Sequence, residues 1–214
     1  MNKQTIQDII NLFVGFFLTA LAVVIMVNSN VGLCTWDVLH QGINKTFGIT
    51  MGQASIIVGI VVIMISVMLG ENLGWGTIGS IFVPGFLIDI ITDLNILPQA
   101  TGLVSGIIMT FIGLIVMSIA TVAYLKPAMG CGPRDGLMVA LYKKTGKSIG
   151  FLRGEIETFA VVVGFFMGGT FGIGTIISAI AFGYILEIAF KIFKLDPNVT
   201  HRMIFSSLKQ ASEK

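Results

Sequence analysis

Residues 130 to 150 read GCGPRDGLMVALYKKTGKSIG, and a related stretch, GLCTWDVLHQGINKTFGITMG, occupies residues 32 to 52. The two stretches align at a constant spacing of 98 residues, which pairs Asp37 with Asp135. The register continues without a gap into the next hydrophobic segments, where GWGTIGS aligns with GIGTIIS. Internal similarity of this kind is typical of membrane proteins built from structural repeats. We therefore predict that the chain is a duplication of one ancestral unit.

The composition indicates that this chain lies in a membrane. Of its 214 residues 55% are hydrophobic and only 11% are charged, and the mean hydropathy is +0.94. Such a chain has too few polar residues to cover a water-soluble globule of its size. Six apolar runs approach the ~20 residues that a helix needs to cross a bilayer, and none alternates polar and apolar residues as barrel strands do. They cover residues 9–27, 49–69, 75–94, 103–125, 149–167 and 173–193.

Each repeat also contains a shorter segment after its first apolar run. Thr35 to Phe47 is too short and too polar to span the bilayer, and Pro133 to Thr145 is its counterpart. A helix of this length rises only about 20 Å. We predict that each is an interfacial or re-entrant helix. The predicted fold is all-α, with six transmembrane helices forming two three-helix repeats. The chain is then one transmembrane domain, residues 1–214, with repeats at about 8–94 and 103–193 and a short cytoplasmic tail at 194–214.

The number of crossings predicts how the repeats are oriented. Three crossings per repeat is an odd number, so the second repeat enters the bilayer from the opposite side and the repeats are inverted. Loops that remain in the cytoplasm are enriched in Lys and Arg. The loop after the first crossing has only Lys45, and the tail is basic. The counterpart loop carries Lys126, Arg134, Lys143, Lys144 and Lys147. This distribution predicts that both termini are cytoplasmic.

An alternative arrangement lets the two short segments span the bilayer, which gives eight crossings and parallel repeats. It would place Asp37, His40 and Lys45, with two further polar residues, inside a crossing of about 14 residues. Each central charge costs ~2.5–3.5 kcal/mol on insertion scales. We therefore favour six crossings.

The paired Asp37 and Asp135 are the first candidates for a binding site. One interpretation is structural, because a carboxylate in the first turn of a helix accepts hydrogen bonds from free backbone N–H groups. The other is functional, since broken helices of inverted-repeat transporters direct their N-termini at a shared midplane site. Such a site could bind a cation through the two carboxylates or an anion through Arg134 and the helix ends. The sequence does not choose between these ions.

Further ionisable residues lie in or near the apolar runs. Arg153 and Glu157 are four residues apart, so they share a helix face and can pair, and an ionisable residue within a membrane helix is by default a functional candidate. Glu157 is therefore either part of a pathway or a structural partner of Arg153. His40 could relay a proton to Asp37 or be an ordinary polar-face residue. Glu187 is predicted to lie deeper than its aligned residue Asp89, which makes it the better candidate.

Several kinds of chemistry find no support in the sequence. No nucleophile and base are spaced as in a hydrolase, so we expect no enzyme. No His/Cys cluster accompanies Cys34 or Cys131, and we predict neither a metal site nor a cofactor. The GWGTIGS segment opens a membrane helix and lacks the strand and lysine of a nucleotide-binding loop. The basic residues form no nucleic-acid-binding patch.

The quoted motifs resemble a known group of proteins. VGLCTWDVLHQG, GCGPRDGLM and GGTFGIGT, at residues 31–42, 130–138 and 168–175, are similar to the YczE branch of the YczE/YyaS/YitT-like bacterial membrane proteins. The resemblance covers nearly the whole chain and draws attention to Trp36 in the WD pair. It implies a multi-pass protein of the bacterial cytoplasmic membrane, in a family without a settled substrate.

Two functions remain open at this point. The first is a small secondary transporter or exporter of an unidentified solute or ion, with its site between the repeats. The second is a non-transporting accessory or regulatory membrane protein that binds a partner through its basic cytoplasmic loop and tail. The expected surroundings are the lipid bilayer, the solute and a second copy in a homodimer. The candidate binding residues are Trp36, Asp37, His40, Arg134, Asp135, Arg153, Glu157 and Glu187.

Overall fold

The computed structural model describes residues 3–70, 75–127, 132–147 and 149–194, without the side chains of residues 3–5, 75, 135, 139, 149 and 150. In these ranges the chain is helical and has no strand, which confirms the all-α prediction. The helices are α1 (Lys3–Asn28), α2 (Thr35–Phe47), α3 (Met51–Met68), α4 (Trp75–Leu94), α5 (Leu103–Leu125), α6 (Pro133–Thr145), α7 (Ile149–Phe166) and α8 (Ile173–Ile192). The two predicted short helices, α2 and α6, have the predicted bounds. Each ends at a glycine in the left-handed conformation, Gly48 (φ 68°) and Gly146 (φ 67°).

Five of the described helices are long and apolar enough to cross a membrane: α1, α3, α4, α5 and α8. Their outer faces expose large apolar side chains, such as Met64 and Phe86, as expected where lipid is the solvent. Helix α7 has 18 residues but carries Arg153, Glu155 and Glu157. The chain is thus a multi-pass membrane protein.

The two halves of the fold correspond helix by helix. Helices α2, α3 and α4 begin and end 98 residues before α6, α7 and α8, so the sequence register is also the structural register. The packing repeats in the same way. Between the halves, α2 packs on α7 as α6 packs on α3. Within the halves, α1 packs on α4 as α5 packs on α8. Each half therefore completes its core with helices of the other half.

Helices α1 and α5 form the most extensive contact between the halves and run antiparallel. Near one end a Cβ on Gly15 would lie 2.8 Å from Tyr124 Cβ, and near the other a Cβ on Gly106 would lie 2.5 Å from the Ser29 carbonyl oxygen. The contacts are also reciprocal. Gly15 approaches Tyr124, and their register equivalents, Gly113 and Met26, approach each other. Reciprocity of this kind is the property of a two-fold arrangement.

Glycines bring α2 close to α7. A Cβ on Gly164 would lie 2.5 Å from the backbone nitrogen of Leu39, and one on Gly42 would lie 2.5 Å from the Gly164 carbonyl oxygen. Polar side chains of α2 form hydrogen bonds with the segment that follows α7. There, the Thr170 N–H donates to Gln41 Oε1 (2.7 Å), and Thr46 Oγ1 donates to the Met167 carbonyl (2.9 Å). These contacts fix α2 and so position its N-terminus.

Gly164→Ala is expected to lower the thermal stability of the purified protein. The added methyl would overlap backbone atoms of α2, and overpacking of this kind costs about 1–3 kcal/mol. Gly154→Ala is the matched control on the same helix, because no atom lies within 4 Å of a Cβ there. The control should be neutral or stabilising by about 0.5–1 kcal/mol, since alanine favours helix. Melting temperatures of both variants in detergent, measured by intrinsic fluorescence, test the contact; equal melting temperatures would contradict it.

Candidate functional site

A cavity of about 650 Å³ lies between the two halves, and all eight described helices contribute to its lining. The cavity lining combines aromatic side chains, such as Phe16 and Phe182, with charged ones. Six of the eight candidate residues line it, namely Trp36, Asp37, His40, Arg134, Arg153 and Glu157. The candidates, which are far apart in sequence, therefore share one space.

The N-termini of both short helices open onto this cavity, where Thr35 and Pro133 are lining residues. The approach to α2 is fixed by the other half of the protein. Gly32 has a φ of 120°, which favours glycine, and a Cβ there would meet Thr175 Oγ1 at 2.8 Å. The Leu33 N–H donates to this same hydroxyl at 3.1 Å. The start of α8 thus holds the chain that leads into α2.

Trp36 and Arg134 connect the two helix starts directly. The guanidinium carbon of Arg134 lies 4.9 Å from the centroid of the Trp36 ring, within the range of a cation–π interaction. Trp36 is buried, whereas Arg134 is exposed towards the cavity. The two residues are 98 positions apart, so a side chain of one half stacks on its own register equivalent.

Asp37 and His40 form a buried polar pair on α2. Asp37 is only 3% exposed and His40 only 5%, and His40 Nδ1 lies 3.2 Å from Asp37 Oδ1. Burial lowers the pKa of the His40 imidazole, and the Asp37 carboxylate opposes part of this shift. At neutral pH His40 is therefore uncharged, and its Nδ1 shares a hydrogen bond with Asp37 Oδ1. An ionisable pair of this kind in a cavity can bind a cation or exchange a proton.

The buried His40 is expected to make stability depend on pH. Its pKa lies below 6.5 in the folded protein, so on acidification the unfolded chain takes up the proton first and folding loses free energy. The contribution is complete above the unfolded pKa of about 6.5 and declines as the pH falls towards the folded value. The melting temperature should thus fall more steeply between pH 7.5 and pH 5.5 in wild type than in His40→Gln. Parallel profiles for the two proteins would exclude this role.

Arg153 and Glu157 are paired and also line the cavity. Arg153 Nε lies 3.1 Å from Glu157 Oε1, with the two side chains 54% and 32% exposed. The two interpretations from the sequence, a structural pair and a pathway group, are thus compatible in this geometry. Because the first half has Ser55 and Gly59 at these positions, the charges belong to one half only.

The remaining two candidates lie elsewhere. The side chain of Asp135 lies outside the described residues, although its backbone belongs to the first turn of α6. Glu187 is not a lining residue; its side chain is 58% exposed and pairs with Lys191 Nζ at 2.7 Å. Asp89, its register equivalent, makes contacts with another helix. Its Oδ1 accepts from the Gly52 N–H at 2.8 Å, and its Oδ2 accepts from Thr50 Oγ1.

Sequence reasoning missed the uncharged polar groups of the cavity. Ser80 and Ser178 are a register pair, and both line the cavity. Cys34 lines it too, and burial raises the pKa of its thiol to about 12, so the thiol is neutral. Cys131 lies outside the described residues. Within the described ranges no three His, Cys, Asp or Glu residues are grouped closely enough to hold a metal ion.

Comparison with known proteins gives the family of this chain. The family of unknown function DUF6198 matches residues 6–191. An uncharacterized protein of Haemophilus influenzae is 32% identical over 177 residues, which cover 83% of this chain and 80% of that protein. The uncharacterized membrane protein YczE of Bacillus subtilis is 30% identical over 179 residues, covering 82% and 81%. The uncharacterized protein YyaS of the same bacterium is 23% identical over 178 residues, covering 82% and 88%.

No solved structure matches this chain. The resemblance to YczE and YyaS that the WD and GPRDG motifs indicated is confirmed over most of the sequence. Because the family model covers most of the sequence, this protein belongs to the family of unknown function DUF6198.

Proposed function

We propose that this protein is a small secondary transporter that moves a small solute or ion through the cavity between its halves. The observation that carries the proposal is the cavity itself. It is large enough for a small solute, all eight described helices line it, and the buried Asp37 and the starts of both short helices open onto it. Polar groups at membrane depth survive only where protein or water satisfies them, and transporters place their sites there.

The proposal includes six crossings arranged as inverted repeats. It is supported by the antiparallel, reciprocal packing of α1 on α5, because equivalent crossings that run in opposite directions belong to repeats of opposite orientation. Helix α7 serves as the sixth crossing: it is long enough, and Arg153 and Glu157 face the cavity. The basic loop and tail then lie in the cytoplasm, with both termini, and the chain resides in the bacterial cytoplasmic membrane.

Reconstituted protein tests the proposal. Proteoliposomes on a solid-supported membrane should give transient currents on concentration jumps of at least one probe among alkali cations, halides, zwitterionic amino acids and quaternary ammonium ions. Pyranine trapped in the liposomes reports proton movement in the same experiments and detects electroneutral exchange for protons. Protein-free liposomes are the control. The absence of both signals for every probe would leave the proposal without support.

The accessory or regulatory function predicts a different result. A partner protein should then co-purify with this chain and be lost when Lys143, Lys144 and Lys147 are replaced by glutamine together. Lys144 and Lys147 are exposed at the end of α6 and just beyond it. Flux that survives this triple replacement would favour transport over partner binding.

A further inference from the structure

The two halves differ in how their last two helices pack on each other. In the first half α3 packs along α4, and glycines allow a close approach: a Cβ on Gly52 would lie 2.0 Å from the Gly85 carbonyl oxygen. Asp89, one turn beyond Gly85, closes the end of this contact by accepting from the Gly52 N–H and from Thr50. A carboxylate at a helix N-terminus also interacts favourably with the helix dipole. The α3–α4 contact is thus sealed at one end by Asp89.

The equivalent contact is open in the second half. Among the described residues α7 and α8 have no packing comparable with that of α3 on α4. Gly183, the register equivalent of Gly85, has no atom within 4 Å of a Cβ position and lines the cavity. Glu187, the equivalent of Asp89, pairs with Lys191 on its own helix. Asp89 therefore binds the N-terminus of α3, whereas Glu187 binds a lysine of its own helix.

The chain nevertheless keeps the residues that a sealed second half needs. The register puts Gly150 at the position of Gly52, so a glycine N–H recurs in the first turn of α7. Gly183 has no side chain that would stand between α8 and an approaching helix. Gly150 and Gly183 are the equivalents of Gly52 and Gly85, which meet in the first half.

We propose that α8 closes on α7 in a second conformation, in which Glu187 leaves Lys191 and accepts from the N-terminus of α7 as Asp89 does from that of α3. The Asp89 contact opens in exchange, so the two carboxylates are alternating latches. This inference rests on the inverted arrangement proposed above. In that arrangement the Asp89 and Glu187 contacts lie at opposite faces of the membrane, and the cavity becomes accessible from each face in turn.

Distances between spin labels in lipid nanodiscs test the exchange. In a Cys34→Ser, Cys131→Ser background, one labelled pair replaces Glu155 and Tyr184 across α7 and α8. Its register equivalent replaces Ile57 and Phe86 across α3 and α4. All four side chains are exposed. Each pair should give a shorter and a longer distance by double electron–electron resonance. The shorter distance should dominate for the first-half pair and the longer one for the second-half pair.

Two latch variants should shift these populations in opposite directions. Asp89→Asn should increase the share of the short α7–α8 distance, and Glu187→Gln should decrease it, each changing the ratio about tenfold, as expected for loss of a hydrogen bond to a charged group. Asp93→Asn, an exposed carboxylate one turn beyond Asp89, should change neither. A single long α7–α8 distance that ignores both latch variants would overturn the inference. The distance measurement is independent of the flux measurement. Flux with one fixed α7–α8 distance would contradict the exchange alone, and two exchanging distances without flux would contradict transport alone.

Discussion

Replacing Asp37 with asparagine is expected to reduce flux in proteoliposomes by at least about two orders of magnitude, which corresponds to about 2.7 kcal/mol. The side chain is buried, lines the cavity and hydrogen-bonds His40. Asparagine keeps its shape but removes the charge that a cation or a transferred proton needs. Initial rates with the probe that gives the largest wild-type signal measure the effect.

The fold should survive this change. Asparagine has the same size as aspartate and can still hydrogen-bond the His40 ring. The melting temperature of Asp37→Asn should therefore stay close to that of wild type. Asp93→Asn controls for loss of one carboxylate at an exposed position on α4. Wild-type flux from Asp37→Asn would remove Asp37 from the mechanism.

Local patterns were sufficient to predict most of the helices. The length of the apolar runs predicts the long helices, and the glycines that end α2 and α6 adopt the left-handed conformation that few other residues reach easily. The spacing of 98 residues also carried structural information, since α2 and α6 have the same length and the same position in each half. These features depend on neighbours in sequence, so the sequence alone is enough to reveal them.

The environments of Asp89 and Glu187 could not be predicted in this way. The two carboxylates occupy the same register, and the sequence assigns them the same helix face. Their partners differ because α4 touches α3 whereas α8 stands apart from α7, which is a property of packing between distant segments. The first half has Gly59 against Ile81, while the second has Glu157 and Ala179 at those positions. A charged side chain in place of glycine favours a solvated gap.

Gly183→Leu is expected to fold normally and yet abolish flux. No atom lies within 4 Å of a Cβ at this position, which faces the cavity, so we expect leucine to be accommodated and to gain about 0.5–1 kcal/mol of helix stability over glycine. The register equivalent Gly85→Leu should instead destabilise the protein by about 1–3 kcal/mol. A Cβ there would lie 2.4 Å from Ile56 Cγ1. Melting temperatures of the two variants should therefore move in opposite directions.

The loss of flux in Gly183→Leu follows from the closed conformation. If α8 approaches α7 as closely as α4 approaches α3, a leucine at position 183 enters the contact and prevents it, and the cavity stays open to one face. Leucine could also reduce flux by occupying cavity volume, but occupancy alone would leave the α7–α8 distances unchanged. The short distance between labels at positions 155 and 184 should disappear in Gly183→Leu. Flux at the wild-type rate with that distance retained would show that α7 and α8 never meet through Gly183.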